Sequence, residues 1–293
     1  MSLAMINKPC RIVWIDYLKG FLLIIVMIEH VGNIPSYLDL PVKYFGTMAM
    51  PGYFALSGYL YNVKSNFASL VKSKTMSLFV PYVCLSLLFM LLDHNLYDRE
   101  EGARYLMSSL YRIFVEGLSS FKSTPLWFVL TLYLITIVSY PLSKLRNSIS
   151  IEVILILMCS MAQYYFYAHG IMFQFNINSF LASFPLFLMG MIIHQIGLLN
   201  WNDKLNTWCV FCVCVLLSMI LLLVCFKYEL ANPLHGCIPV YWTYILYSIF
   251  SVILLFFSFS RMHSIKLGGG IDLYFSKWYG ISWIPCVLSI VHH

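Results

Sequence analysis

Apolar positions fill this chain in blocks of roughly 16 to 22 residues, the length that carries an α-helix across the apolar layer of a bilayer. The blocks predict helices near 12–31, 44–62, 78–93, 125–143, 151–168, 179–196, 208–226 and 238–259, with a weaker apolar stretch at 271–291. Between 93 and 124 polar residues take over. The run RYLMSSLYRIFVEGL in this stretch has the spacing of an amphipathic helix that lies on a membrane or caps a bundle. No internal repeat and no low-complexity segment interrupts the pattern. The expectation is an all-α protein, a polytopic membrane helical bundle of about 8–10 transmembrane helices. It forms a single integral-membrane domain over 1–293, with 93–124 as an external loop.

Several blocks are broken from within. MPGYFALSGYLYN holds Pro51, Gly52 and Gly58, and SFPLFLMGMIIHQ holds Pro185 and Gly190. Proline removes a helical donor and glycine lets a neighbouring backbone approach, so these spans suit a cavity-lining bundle. Pro51 and Gly52 are expected to kink or widen their helix.

Composition agrees: 61% of residues are hydrophobic and 10% charged, against about 25% charged in an ordinary soluble domain. The formal charge of +6 is no nucleic-acid signal, because the positive residues are dispersed between blocks. With the N-terminus in the cytoplasm, Lys8, Arg11, Lys64, Lys72, Lys74, Lys144, Arg146, Lys204, Arg261 and Lys266 all fall on the inner side. Cys209, Cys212 and Cys214 sit within one apolar helix without partner histidines, so they read as packing residues and no metal site is expected. His94, His169, His194, His235 and His263 fall at block ends or in loops and read as interfacial.

The first block is different. Arg11 to His30, RIVWIDYLKGFLLIIVMIEH, is apolar yet carries Arg11, Asp16, Lys19, Glu29 and His30. Ionisable groups inside a span are costly and mark function by default. At about 100° per residue, Asp16, Lys19 and His30 fall within an arc of roughly 60°. Lys19 and His30 are then about 16 Å apart along the axis. One apolar helix thus carries a polar seam that should face the protein interior. Glu29 points away from the seam if the helix is regular. A direct Asp16–His30 dyad is excluded by an axial separation of about 21 Å. The group that orients His30 is therefore expected on another span.

The ordered series R-x4-D-Y-L-K-G-x9-H (Arg11 to His30), M-P-x-x-F-x-x-S-G-Y-L-Y (Met50 to Tyr61), basic residues before V-P-Y (Val80 to Tyr82), P-L-W-F-V-L (Pro125 to Leu130) and F-P-L-F-L-M-G-M (Phe184 to Met191) resembles the membrane-bound acyltransferase 3 family. Within it, the series looks closest to the branch of fucose 4-O-acetylases and surface-polysaccharide O-acetyltransferases. The resemblance implies roughly ten helices, acetyl-CoA as a cytoplasmic acyl donor with no bound cofactor, and a hydroxyl of a surface or lipid-linked glycan as acceptor. It also implies a bacterial inner-membrane location. Carried over by position, the motif histidine is His30, the arginine and aspartate before it are Arg11 and Asp16, and the basic residue before the glycine is Lys19. The serine–glycine pair is Ser57–Gly58, the loop cations are Lys72 and Lys74, and the motif tryptophan is Trp127. The chain departs from the pattern at Ala49, where many members carry histidine, and in the 260–293 end, which is atypical or shortened.

O-acetyl transfer needs a base for the hydroxyl proton, a donor for the thioester oxyanion and cations for the coenzyme phosphates. Histidine suits the first, which points to His30. Asp16 belongs to the catalytic set or simply pairs with Lys19 three residues on. Arg11, Lys19, Lys72 and Lys74 suit phosphate or pantetheine contacts, or serve as positive-inside anchors. Ser57 is an oxyanion donor or a packing serine beside glycine. Trp127 is a substrate platform or a packing aromatic. Two rival functions fit the same seam: a polytopic transporter and a catalytically impaired relative.

Overall fold

The computed structural model describes residues 12–30, 35–63, 65–96, 102–116, 126–145, 149–173, 175–200, 204–227 and 241–262. Among them every regular element is helical. In chain order they are α1 (Val13–Glu29), α2 (Ser36–Tyr59), α3 (Phe67–Lys74), α4 (Val80–Leu96), α5 (Gly102–Tyr111), α6 (Leu126–Val138), α7 (Tyr140–Lys144), α8 (Ile149–Ala168), α9 (Ile177–Gln195), α10 (Lys204–Lys227) and α11 (Tyr241–Met262). The protein is an all-α polytopic helical bundle. Four helical segments, 67–90, 149–168, 177–195 and 241–261, are long and apolar enough to cross a membrane. The weaker apolar stretch at 271–291 and the 260–293 end fall outside the described residues, apart from 260–262.

The block boundaries differ from the sequence pattern in two places. The second helix starts at Ser36, not near 44, and runs unbroken through Pro41 and Pro51. The helix assignment is continuous across Pro51 and Gly52. The third span starts at Phe67 rather than 78, and there the helix does widen. A π-turn over Thr75–Phe79 joins α3 to α4, and the Val80 N–H reaches back to the Thr75 carbonyl. Pro81 explains its position. The proline ring would clash with the carbonyl four residues earlier, Ser77, and the wider turn moves that carbonyl aside. The amphipathic run is helical over its described part, 104–116, as its spacing suggests: α5 continues into a second π-turn over Arg112–Glu116. It is tied to α4 by the Tyr82 hydroxyl, which donates to the Ile113 carbonyl at 3.0 Å.

The bundle is organised around α2 and α9. A Cβ placed on Gly58 would sit 1.9 Å from the Phe187 carbonyl oxygen, and one on Gly190 would sit 1.8 Å from that of Ala55. The two backbones therefore touch, and only glycine fits at either position. Between membrane helices such close approach replaces the hydrophobic drive that water would supply. Elsewhere on α2, Gly52 receives Leu22 of α1 and Leu255 of α11. Hydroxyls lock the neighbouring helices: Tyr247 of α11 donates to the Tyr44 carbonyl at 2.8 Å, and Tyr44 shares a 2.8 Å bond with Ser218 of α10. The short 169–176 link folds α8 back on α9, and the far ends of the pair meet where Gln195 donates to the buried Glu152 carboxylate. α6 packs beside α9 and α3. There Tyr133 meets Thr75 at 3.1 Å, and the Tyr61 hydroxyl donates to the Thr136 carbonyl at 2.7 Å.

Candidate functional site

Helix α1 buries Ile15, Leu18, Lys19, Leu22 and Val26, a stripe at helical spacing that includes the lysine. Leu23, Ile24 and Met27 are exposed on the opposite side, where lipid would lie. The seam is thus internal at its lower end, as its cost in lipid requires. Lys19 is 7% exposed and Asp16 is half-buried. The backbone at Lys19 is gripped by α2, because the Tyr53 hydroxyl donates to the Lys19 carbonyl at 3.2 Å.

Tyr53 gathers the other candidates. Ser57, one turn on, donates its hydroxyl to the Tyr53 carbonyl at 2.9 Å. That bond back to its own helix occupies the Ser57 proton, which favours a packing serine over an oxyanion donor. The Tyr53 ring lies 5.5 Å from Phe128 of α6, Phe128 lies 4.8 Å from Phe54, and Phe54 lies 6.4 Å from Trp127. Tyr53, Phe54, Trp127 and Phe128 form one aromatic wall running from the Lys19 backbone to the first turn of α6.

The other end of α1 is open. His30 is exposed, and its Nδ1 lies 2.7 Å from the Val26 carbonyl. A carbonyl only accepts, so Nδ1 donates in this bond and Nε2 is the ring nitrogen it does not engage. The partner seen for His30 is the helix's own carbonyl, four residues back, which helical geometry places within reach of an exposed C-terminal histidine. Glu29 also departs from expectation. It does not turn away from the bundle: its carboxyl lies over Gly46 of α2, where a Cβ would come within 2.8 Å of Oε1. It is also the residue next to His30 in the chain.

The loop cations separate. Lys72 is exposed, whereas Lys74, at the entrance to the π-turn, is 8% exposed. Arg11 lies outside the described residues. Ala49 is fully buried in the cluster of Ile15, Leu18 and Leu22, so position 49 presents no opening in which a histidine could meet a substrate. Cys209 and Cys212 are exposed and Cys214 is buried, so the three do not converge. Among the described residues no three His, Cys, Asp or Glu side chains are grouped to hold a metal ion. Sequence reasoning passed over Tyr53, Asn176 and Glu152. Tyr53 had a signal, a hydroxyl on the motif helix facing the seam. Glu152 had another, a carboxylate in the first turn of an apolar span. Asn176 had none, since its partners are distant in sequence.

The family profile described as an acyltransferase domain matches residues 12–278. The chain belongs to this acyltransferase family. No curated protein and no solved structure shows a match. The matched residues include the seam of α1, the motif helix α2, the aromatic wall and α9, so the membrane acyltransferase is defined over the same helices that build the site. Within this integral-membrane acyltransferase, α1 carries a buried lysine at one level and an exposed imidazole at its end. The first suits an anion or a polar arm, the second a proton acceptor.

Proposed function

We propose that this acyltransferase moves an acetyl group from cytoplasmic acetyl-CoA to a hydroxyl of a surface or lipid-linked glycan, with the N-terminus cytoplasmic in a bacterial inner membrane. The observation that carries the reading is the bond from His30 to the Val26 carbonyl, which engages Nδ1 and leaves the acceptor role to Nε2, on an exposed ring at the end of a seam that holds buried Lys19. Lys19 and His30 are about 16 Å apart on a regular helix, a span that an extended pantetheine arm bridges. The coenzyme phosphates are met on the inner side by Arg11, Lys72 and Lys74. The arm passes Lys19 and the wall of Tyr53, Phe128 and Trp127. Asp16, three residues before Lys19 on the same helix, is spaced to pair with it.

At the open end the acceptor hydroxyl hydrogen-bonds to Nε2 of His30. As its oxygen attacks the thioester carbonyl, His30 takes the proton, and the Glu29 carboxylate favours the imidazolium that forms. Collapse of the tetrahedral intermediate breaks the C–S bond and leaves the new ester. The proton returns from His30 to the coenzyme thiolate, so no acyl-enzyme is required. The test is transfer of label from radioactive acetyl-CoA to glycan acceptors in membranes holding the full chain. Labelled glycan with wild-type protein and none with His30→Ala is the expected result. Label that stays on the protein without acceptor overturns the direct transfer, and full transfer by His30→Ala overturns the role of His30.

A further inference from the structure

Asn176 stands at the start of α9 with φ 61° and ψ 23°, a left-handed backbone uncommon for a residue with a side chain. Phe175 beside it is also left-handed, with φ 56°. Such positions cost free energy and persist where the surroundings demand them. Asparagine before a helix ordinarily caps it by accepting from the first backbone N–H groups. Asn176 makes no such bond. Its side chain, 5% exposed, reaches across to α6 instead. Nδ2 donates to the Trp127 carbonyl at 3.0 Å and to the Thr131 hydroxyl oxygen at 2.7 Å. Thr131, fully buried, donates its own proton to the same Trp127 carbonyl at 2.8 Å.

The neighbouring asparagine has the local task. Asn178 accepts from the Phe173 N–H at 2.6 Å and donates to the Ile171 carbonyl at 3.2 Å, so it closes the turn before α9. The Phe175 N–H, pointed outward by the same left-handed turn, donates to the Val115 carbonyl at 2.9 Å. The turn is therefore built by Asn178, while Asn176 is spent on one carbonyl of another helix. That carbonyl belongs to Trp127, at the end of the aromatic wall.

We infer that Asn176 is a positioning residue: through Thr131 and the Trp127 carbonyl it sets the first turn of α6, and with it the wall along which the acyl donor lies. This rests on the proposed donor path. Asn176→Gly keeps the left-handed backbone and removes the donor. Thr131→Val removes the relay hydroxyl at the same volume, and Thr131→Ser keeps it. Asn178→Ala disturbs the turn alone.

The experiment uses the full chain in detergent, with CoA affinity measured by calorimetry, initial rates for acetyl-CoA and a methyl hexoside, and the part of tryptophan emission lost in Trp127→Phe. Asn176→Gly and Thr131→Val are expected to weaken CoA binding and raise the acetyl-CoA KM about tenfold, equivalent to about 1.4 kcal/mol. The hexoside KM stays within about twofold of wild type, well below the effect of one lost hydrogen bond. The Trp127 emission shifts in both variants. Thr131→Ser restores the wild-type values, and Asn178→Ala lowers the melting temperature without moving the KM. A loss in Asn176→Gly that merely follows melting temperature, or an unchanged Trp127 emission, overturns the positioning role. Wild-type chain that fails to bind CoA overturns the donor path instead. The emission series then decides alone whether Asn176 sets Trp127.

Discussion

The two ends of α1 lie on one stripe of one helix and meet opposite surroundings. At Lys19 the helix is packed against α2, held by the Tyr53 hydroxyl, and the lysine is 7% exposed. At His30 the helix has ended, the ring is exposed, and its hydrogen bond goes to its own backbone. The inner end is fixed by α2, and α2 is fixed in turn by backbone contact with α9 next to Ser57. A rigid, desolvated end suits holding a donor in one geometry. An open end suits a base that must meet acceptors of varied shape. Distance on the helix separates the two tasks, so one apolar span can serve both.

The comparison breaks most completely if the inner end loses its support. Gly190→Leu would force a side chain into the Ala55 carbonyl, where even a Cβ lies 1.8 Å away. A cost above about 3 kcal/mol is expected, seen as loss of folded protein on size-exclusion chromatography. A Gly190→Leu protein that melts like wild type would mean that the α2–α9 contact does not fix the site. Next in size, His30→Ala should lower kcat by about 10² to 10⁴ with no change in melting temperature, since the ring is exposed and packs on little. Should the melting temperature fall in step with the rate, the open end is structural after all.

Smaller effects sharpen the contrast. Lys19→Met should raise the acetyl-CoA KM about tenfold and also lower thermal stability, because it takes one partner from the polar contacts of a desolvated group and leaves the other unmatched. Stability lost with an unaltered KM would assign Lys19 to the core. Tyr53→Phe removes one hydroxyl and keeps the ring on Phe128, so about 1 kcal/mol of stability should go, read from the melting curve. Glu29→Gln is the mildest, a fall in kcat of about threefold that salt reduces, as for an exposed charge pair. A salt-independent fall would place Glu29 in contact with the reacting groups.

Much of the bundle was legible because membrane helices announce themselves by length. Blocks such as 151–168 and 179–196 match α8 and α9 to within two residues at each end. The polar start of α2 was missed because Ser36 to Lys43 is less apolar than its continuation, although backbone pairing carries the helix through it. The helix continues through Pro51, whereas Pro81 follows a π-turn. Proline says that a helical bond is lost, but neighbouring packing decides how the helix absorbs that loss.

The sequence by itself determined the class of protein, the all-α bundle and the polar stripe of α1. These follow from local quantities: residue polarity, helical period and the cost of charge in lipid. The order of its motifs pointed to the acyltransferase family. Only the tertiary structure decided that Lys19 and Lys74 are buried while Lys72 is not, that Ser57 bonds to its own helix, and that Glu29 lies over Gly46. It alone brought Asn176 to Trp127, which lies 49 positions away in the chain. Contacts between helices depend on which faces meet and how closely the backbones approach, and one helix does not carry that information.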